Sequence, residues 1–450
     1  MIKQFQSWHH DPDFVASVKM PLIPALKTTE RSGTRTFKMS HQGNNRSSKK
    51  MHGHPRARCD ISAGIKPCIA YFANDLSDSA VHRRLRMLLD GGANIRLFGF
   101  RRTPKPIAEV HGVPAIDLGQ TWDGRLVARA FTILRERFIT KRYAALMEGV
   151  SAIVARNLDA LALGCHARTC AKIDIPLIYE CLDIHSSMLG ERTIAHLMRG
   201  VEAFYLRETS GLIVSSPAFI REYFNRYQRN RKPYLLVENK YPESSLVATK
   251  HNPPPPIPWR IGWFGHIRCE KSLRFILELA ERLEGRVQFI IRGKINIGDK
   301  ELFHGSVRRS SHIRYEGPYD HNNIPLIYRD IHFCWAIDYF QEGANSSWLL
   351  PNRIYEAASQ SVVPIALDQV ESGRWLKSRN CGVLINNPVK DLPEFFEHLN
   401  PIAYEEMRGR VAAIPKTDVV AGRADNSALV NFILGPVHTN GTDLPPRSAP

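Results

Sequence analysis

No Cys-x-x-Cys pair occurs in these 450 residues, and the eight cysteines (Cys59, Cys68, Cys165, Cys170, Cys181, Cys269, Cys334, Cys381) are scattered, several of them inside apolar runs. This usage excludes a zinc ribbon or a thioredoxin-type dithiol and reads as reduced core thiols in a reducing compartment. No run of roughly 18 apolar residues is present, which predicts that nothing spans a membrane. The N-terminus lacks the apolar segment of a secretory signal. The sequence is also without H-E-x-x-H, G-x-S-x-G and G-x-x-x-x-G-K-[ST], so zincin, α/β-hydrolase and P-loop chemistries have no carrier. Its strict Asp-x-Asp string, Asp11-Pro12-Asp13, lies in a terminal stretch without hydrophobic periodicity. No metal site and no cofactor are expected.

What is present is an ordinary globular composition, 43% hydrophobic and 23% charged, with room for two domains. The formal net charge of +17 would suit nucleic acid, but its distribution argues otherwise. Residues 1–66 hold twelve Lys and Arg against four acids, nearly half of the excess. The remainder is a mildly basic surface that suits anionic substrates or an anionic membrane face. Residues 1–66 contain SHQGNNRSSKKMHGHPRAR, which has too little apolar surface to offset the entropy of ordering, and they read as a disordered basic tail. Met39 and Met51 offer alternative starts within it. Residues 436–450 read as a second loose end.

From Cys68 onward, short β-favouring runs alternate with helical periodicity. CIAYFA is followed by a polar turn and a helix with Val81, Leu85 and Leu88 on one face. Strands follow at 94–100, 113–118, 152–157, 176–181, 211–216 and 234–240, with helices near 124–149, 158–172 and 191–208. HNPPPPIPW (251–259) breaks the pattern and places a linker at 246–258. A second alternation begins with RIGWFG (260–265) and the helix SLRFILELAERL (272–283), and continues through strands at 287–293, 313–319, 332–338, 362–367 and 382–385. The expected fold class is α/β: two Rossmann-like doubly wound domains, 67–245 and 259–424, facing a central cleft. A last helix at 425–435 returns to the first domain.

The most informative stretch is DYFQEGANSSWLLPNRIYEAASQSVVPIAL (338–367). Asn345, Ser346 and Ser347, with backbone N–H groups at a helix start, suit a diphosphate, and Glu356 sits where a carboxylate accepts both ribose hydroxyls.

The segments 69–102, 155–163, 179–190, 261–273 and 345–357 together resemble GT-B glycosyltransferases of the family 4 type. The likeness is closer still to the succinoglycan biosynthesis glycosyltransferases of the ExoL kind, and it covers roughly residues 67–435. The resemblance implies a nucleotide-sugar bound by the second domain and an acceptor bound by the first. It places Gly265 beside the diphosphate, Arg268 and Lys271 as the cations that neutralise the leaving group, and Glu356 as the donor-site glutamate. Asn352 and Arg353 lie in the same donor-binding block. It further implies glucose from UDP-glucose and a lipid-linked saccharide acceptor; the expected location is cytoplasmic, peripheral to the inner face of the plasma membrane, and no nucleic acid partner is expected. One position departs from the pattern: Trp348 stands where many family members carry a second glutamate. Asp338 and Glu342 lie close upstream as substitutes.

An inverting transfer needs a base for the acceptor hydroxyl, whereas a retaining one does not. Asp75, in the loop after the first strand, is the expected base, with Asp78 as a second candidate that equally suits a helix N-cap. Asp183 and His185, after the strand PLIYEC, are expected to point into the cleft, His185 to orient the acceptor or touch the donor phosphate. Two rival classes stand beside the transferase: a non-catalytic GT-B protein that binds a saccharide or a partner glycosyltransferase, and a nucleic-acid binder. The second is disfavoured by the absence of any nucleic-acid-binding signature.

Overall fold

A computed structural model describes residues 66–121, 145–246 and 257–435. The basic tail, most of the 246–258 linker, most of the expected 124–149 helix and the 436–450 terminus lie outside the described residues.

Strands β1 (Cys68–Ala73), β2 (Asn94–Arg101), β3 (Glu109–Val110), β4 (Val113–Gln120), β5 (Ala152–Arg156), β6 (Leu177–Cys181), β7 (Gly211–Val214) and β8 (Tyr234–Leu236) form one sheet in the order β3-β4-β2-β1-β5-β6-β7-β8. All pairings are parallel except that of β3 with β4. That hairpin was not foreseen. Its tight turn uses His111 and Gly112, both at positive φ (52° and 75°), and histidine is a weak turn signal in sequence. Helices over Ser79–Asp90, Asn157–Ala171 and Thr193–Leu206 cover the sheet, and its central strands β1, β5 and β6 are buried on both faces, which explains their continuous apolar runs. A π-helical segment, Phe219–Gln228, follows β7 and was likewise not anticipated.

After a short strand β9 (Tyr241–Pro242), the second domain builds a six-stranded parallel sheet. It comprises β10 (Trp259–Phe264), β11 (Val287–Arg292), β12 (Ile313–Tyr315), β13 (Phe333–Trp335), β14 (Val363–Leu367) and β15 (Val383–Ile385), in the order β12-β11-β10-β13-β14-β15. Apart from edge strands, both sheets reverse direction beside their first strand, between β1 and β5 and between β10 and β13. In such sheets the crevice at the carboxyl ends of these strands receives the ligand.

The chain then returns. Strand β16 (Val420–Ala421) pairs with β9, and the helix Arg423–Leu434 packs on the Ser79–Asp90 helix. Leu429, Val430 and Ile433 share one core with Ile69, Tyr71, Leu85 and Leu88. Gly91 permits this approach, since a Cβ there would lie 2.6 Å from the Asn426 carbonyl oxygen.

Candidate active site

β10 ends at Phe264 and the backbone turns sharply at Gly265 (φ 116°). The Gly265 N–H bonds the Arg292 carbonyl at 3.0 Å, and Gly293 (φ 140°) comes so close that a Cβ on it would overlap the Gly265 oxygen. Two cations follow. The Arg268 guanidinium lies 4.5 Å from the centre of the Phe340 ring and donates to Asp338 Oδ2 at 3.4 Å. Lys271 Nζ donates to Glu342 Oε2 at 2.6 Å and sits 4.4 Å from the Tyr339 ring centre. The 338–342 loop after β13 therefore caps the basic pair: Asp338 and Glu342 are its counterions, and two aromatic faces hold it in place. His266, beside Arg268, has its pKa lowered by partial burial and by that guanidinium.

The 345–356 segment departs from the sequence reading. The backbone N–H groups of Ser346 and Ser347 bond the carbonyls of Gln341 and Ala344 at 3.2 and 2.8 Å. Their hydroxyls accept the N–H groups of Gln341 and Gly343 at 2.8 and 3.1 Å. The loop and the single helical turn Asn345–Trp348 that follows it meet their own backbone demand in this way, so the groups expected to cradle a diphosphate are engaged with one another. Asn345 is buried and reaches the first domain: its Oδ1 accepts the Ile184 N–H at 3.0 Å, and its amide donates to Asp183 and, at 2.6 Å, to the Ile184 carbonyl. The seam continues. Ser216 Oγ donates to the Trp348 carbonyl at 2.5 Å, Trp348 and Leu349 pack on the first-domain core, and Asn239 donates to the Leu350 carbonyl at 2.9 Å. Trp348, in the place of the second glutamate, is thus a domain-junction residue.

Glu356 rides on the helix Asn352–Ser359, is buried, and accepts the Tyr328 hydroxyl on Oε2 at 3.0 Å. Arg83 of the first domain donates to Asn352 Oδ1 at 2.8 Å. Arg353 bonds the Trp335 carbonyl at 3.0 Å. Burial, reinforced by the Glu356 charge, pushes the Tyr241 hydroxyl up to about 12.

On the first domain, Asp75 is buried and fully occupied: Oδ1 takes the N–H and hydroxyl of Ser77 at 3.0 and 2.7 Å, and Oδ2 pairs with Arg102 at 3.2 Å. Asp78 caps the 79–90 helix through the Ala80 N–H at 2.9 Å and faces Arg156 at 3.8 Å. Asp183 remains accessible, yet the surrounding protein raises its carboxyl above the ordinary range, against the pull of Arg268 and His185. His185 is exposed, and its Nδ1 accepts the Ser187 N–H at 3.2 Å, so a neutral ring carries its proton on Nε2.

A buried cluster beneath this rim escaped sequence reasoning. Arg156 ends β5 and Glu180 lies near the end of β6; Arg156 donates to Glu180 at 2.9 Å, Arg84 pairs with the other carboxylate oxygen, and the Tyr71 hydroxyl donates at 2.9 Å. Burial pushes the Glu180 carboxyl up, but the two guanidiniums outweigh it and hold the group at about 2. The available signal was a charge inside each of two apolar strands, AIVAR and LIYEC.

No protein-family model matches the chain. It is 37% identical over 370 residues to the succinoglycan biosynthesis protein ExoL of Rhizobium meliloti (strain 1021), covering 80% of this chain and 92% of that protein. The chain belongs to the ExoL family. Solved structures give this ExoL relative its fold: sucrose-phosphate synthase from Thermosynechococcus elongatus superposes with a TM-score of 0.58 at 15% identity over 82% of this chain and 96% of the other. HepE of Anabaena, solved in complex with UDP and glucose, gives 0.57 at 14% identity over 80% and 97%. A glycosyltransferase from Rickettsia africae gives 0.59 at 12% identity over 84% and 100%. The two-domain arrangement of this ExoL family member is accordingly the GT-B fold.

Proposed function

We propose that the protein is a metal-independent glycosyltransferase that moves a hexose, glucose from UDP-glucose, onto a lipid-linked oligosaccharide during assembly of a succinoglycan-like exopolysaccharide. Membership of the ExoL family and the GT-B fold support the reaction class. One observation carries the reading: acids of the first domain face cations of the second across the crevice. The loop whose Asp338 and Glu342 pair with Arg268 and Lys271 continues into Asn345, whose amide donates to Asp183 of the first domain, and the Arg268 charge acts on that carboxyl although burial prevails and leaves it raised. That is the charge pattern a transfer between two substrates needs. Fixed cations meet the leaving diphosphate on one side, and a carboxylate meets the acceptor hydroxyl on the other.

In this reading Arg268 and Lys271 exchange Asp338 and Glu342 for phosphate oxygens. Glu356, oriented by Tyr328, accepts the ribose hydroxyls. Asp183 is a better base than Asp75 for an inverting transfer, because it is accessible and its pKa is raised, while Asp75 is buried in an ion pair. Asp183 takes the acceptor proton as the acceptor oxygen bonds the anomeric carbon and the nucleotide diphosphate leaves. The lipid-linked acceptor implies work at the inner face of the membrane. Among the described residues, no helix is long and apolar enough to cross one.

The tryptophan at 348 favours a second reading, a non-catalytic GT-B protein that binds a saccharide or a partner glycosyltransferase. Calorimetric titration with UDP and UDP-glucose, without added metal, tests the first reading. Binding that is lost in Glu356→Ala supports the donor site. Failure of the folded wild type to bind any sugar nucleotide removes the transferase reading, and binding without turnover on any acceptor favours the second.

A further inference from the structure

The Thr193–Leu206 helix turns an apolar face to solvent. Ile194, Leu197, Val201 and Phe204 are 46%, 51%, 38% and 60% exposed. Their spacing of three, four and three residues, with Gly200 between, aligns them along one stripe. The two charged residues of this helix lie on the other side. Glu202 is buried and accepts the hydroxyls of Tyr179 and Tyr223 at 2.9 and 2.7 Å. Arg199 is buried and donates to the carbonyls of Met188 and Gly190 at 2.8 and 2.9 Å. The helix holds no other Lys, Arg, Asp or Glu, so its outward face has none, the inverse of an ordinary surface helix.

Cations gather at its ends instead. Arg192 precedes the helix and Arg207 follows it, both exposed. Lys232 donates to the carbonyls of Arg207 and Thr209 at 3.1 and 2.7 Å, which brings the exposed Arg231 alongside. Of the acids at the two ends, Glu208 is paired with Arg168 at 2.7 Å, and Glu191 is exposed.

We propose that this stripe is the surface by which the protein sits on an anionic membrane. Ile194, Leu197, Val201 and Phe204 enter the acyl boundary, and Arg192, Arg207 and Arg231 meet lipid phosphates. An anionic leaflet matches both the apolar stripe and its cationic ends, whereas a second copy docked there would set those cations against each other. Arg199 ties the helix to the 188–190 segment just beyond Asp183 and His185, so docking presents the acceptor side of the crevice to the lipid. In that respect the inference rests on the reading of a lipid-linked acceptor.

The test is co-sedimentation of the full chain with vesicles of phosphatidylcholine alone or mixed with phosphatidylglycerol, beside the double variant Leu197→Ser, Phe204→Ser. The wild type is expected to pellet with the anionic vesicles. The variant should lose affinity by about tenfold or more, with unchanged thermal unfolding because both side chains are exposed in the folded protein. Three results overturn the proposal: no binding by the wild type, undiminished binding by the variant, or a wild-type dimer in light scattering that the variant dissolves while vesicles go unbound. UDP titration of the same samples separates the two readings, since a protein that docks through the stripe and ignores UDP keeps the membrane surface and loses the transferase.

Discussion

Arg83 of the first domain donates to Asn352 Oδ1 of the second at 2.8 Å, at the start of the helix that carries Glu356. The same guanidinium reaches the Asn239 carbonyl at 3.4 Å and feels the Glu356 charge. One side chain therefore links the first domain, the connecting segment and the proposed ribose-binding carboxylate.

Removing that link should loosen the donor site without unfolding either domain. Arg83→Ala is expected to weaken UDP-glucose binding roughly tenfold, the scale of one charge-assisted hydrogen bond lost from a junction. Calorimetry measures this. Affinity within twofold of wild type would show that the junction does not set the helix position.

The Glu180 cluster makes a prediction about acid stability. Its folded pKa of about 2 lies below the usual 4.5, so folding favours the deprotonated form. The resulting stability is fully present above about pH 4.5 and is lost as pH falls towards 2. Glu180→Gln leaves Arg156 and Arg84 buried without their counterion and should cost about 3 kcal/mol at neutral pH. Between pH 4.5 and 2 it should also flatten the loss of stability seen in the wild type. Urea unfolding across pH would sink this account if the two proteins kept parallel profiles.

Asp183 and Asp75 can be told apart by kinetics. Asp183→Asn should lower kcat by about a hundredfold or more while leaving UDP affinity unchanged, as expected of a lost general base. The base works deprotonated and its pKa is raised, so wild-type kcat/KM should rise with pH through a step above the ordinary carboxylate range of about 4. Asp75→Asn should act mainly on stability, through the Arg102 pair. A hundredfold drop in kcat for Asp75→Asn, with Asp183→Asn near wild type, would restore the opposite assignment.

Much of the fold was legible because buried parallel strands leave continuous apolar runs such as CIAYFA and VVPIAL, and because helical periodicity fills the intervals. The β3–β4 hairpin was not, since two-residue strands carry no period and the His111-Gly112 turn is chemically ambiguous. In the site, Glu356 stood out as a lone carboxylate on a short helix, and Arg268 and Lys271 as cations after a strand that ends in glycine. Arg83, Arg84, Arg156 and Glu180 did not, because charges on elements far apart in sequence acquire meaning only through their partners.

The alternation of strands and helices, hence two doubly wound sheets, follows from the chain's local periodicity, because that periodicity dictates which face of each element must be buried. It also fixes which polar residues fall at strand ends. What those residues touch depends on how the folded chain brings distant segments together. Folding turned Asn345 and Trp348 towards the first domain, engaged the Ser346 and Ser347 groups within their own loop, and closed Asp75 into an ion pair while leaving Asp183 accessible. The physical reason is that hydrogen bonds and ion pairs across a domain junction join residues more than a hundred positions apart, as Asn345 joins Asp183 and Ile184, and no local pattern records such a pairing.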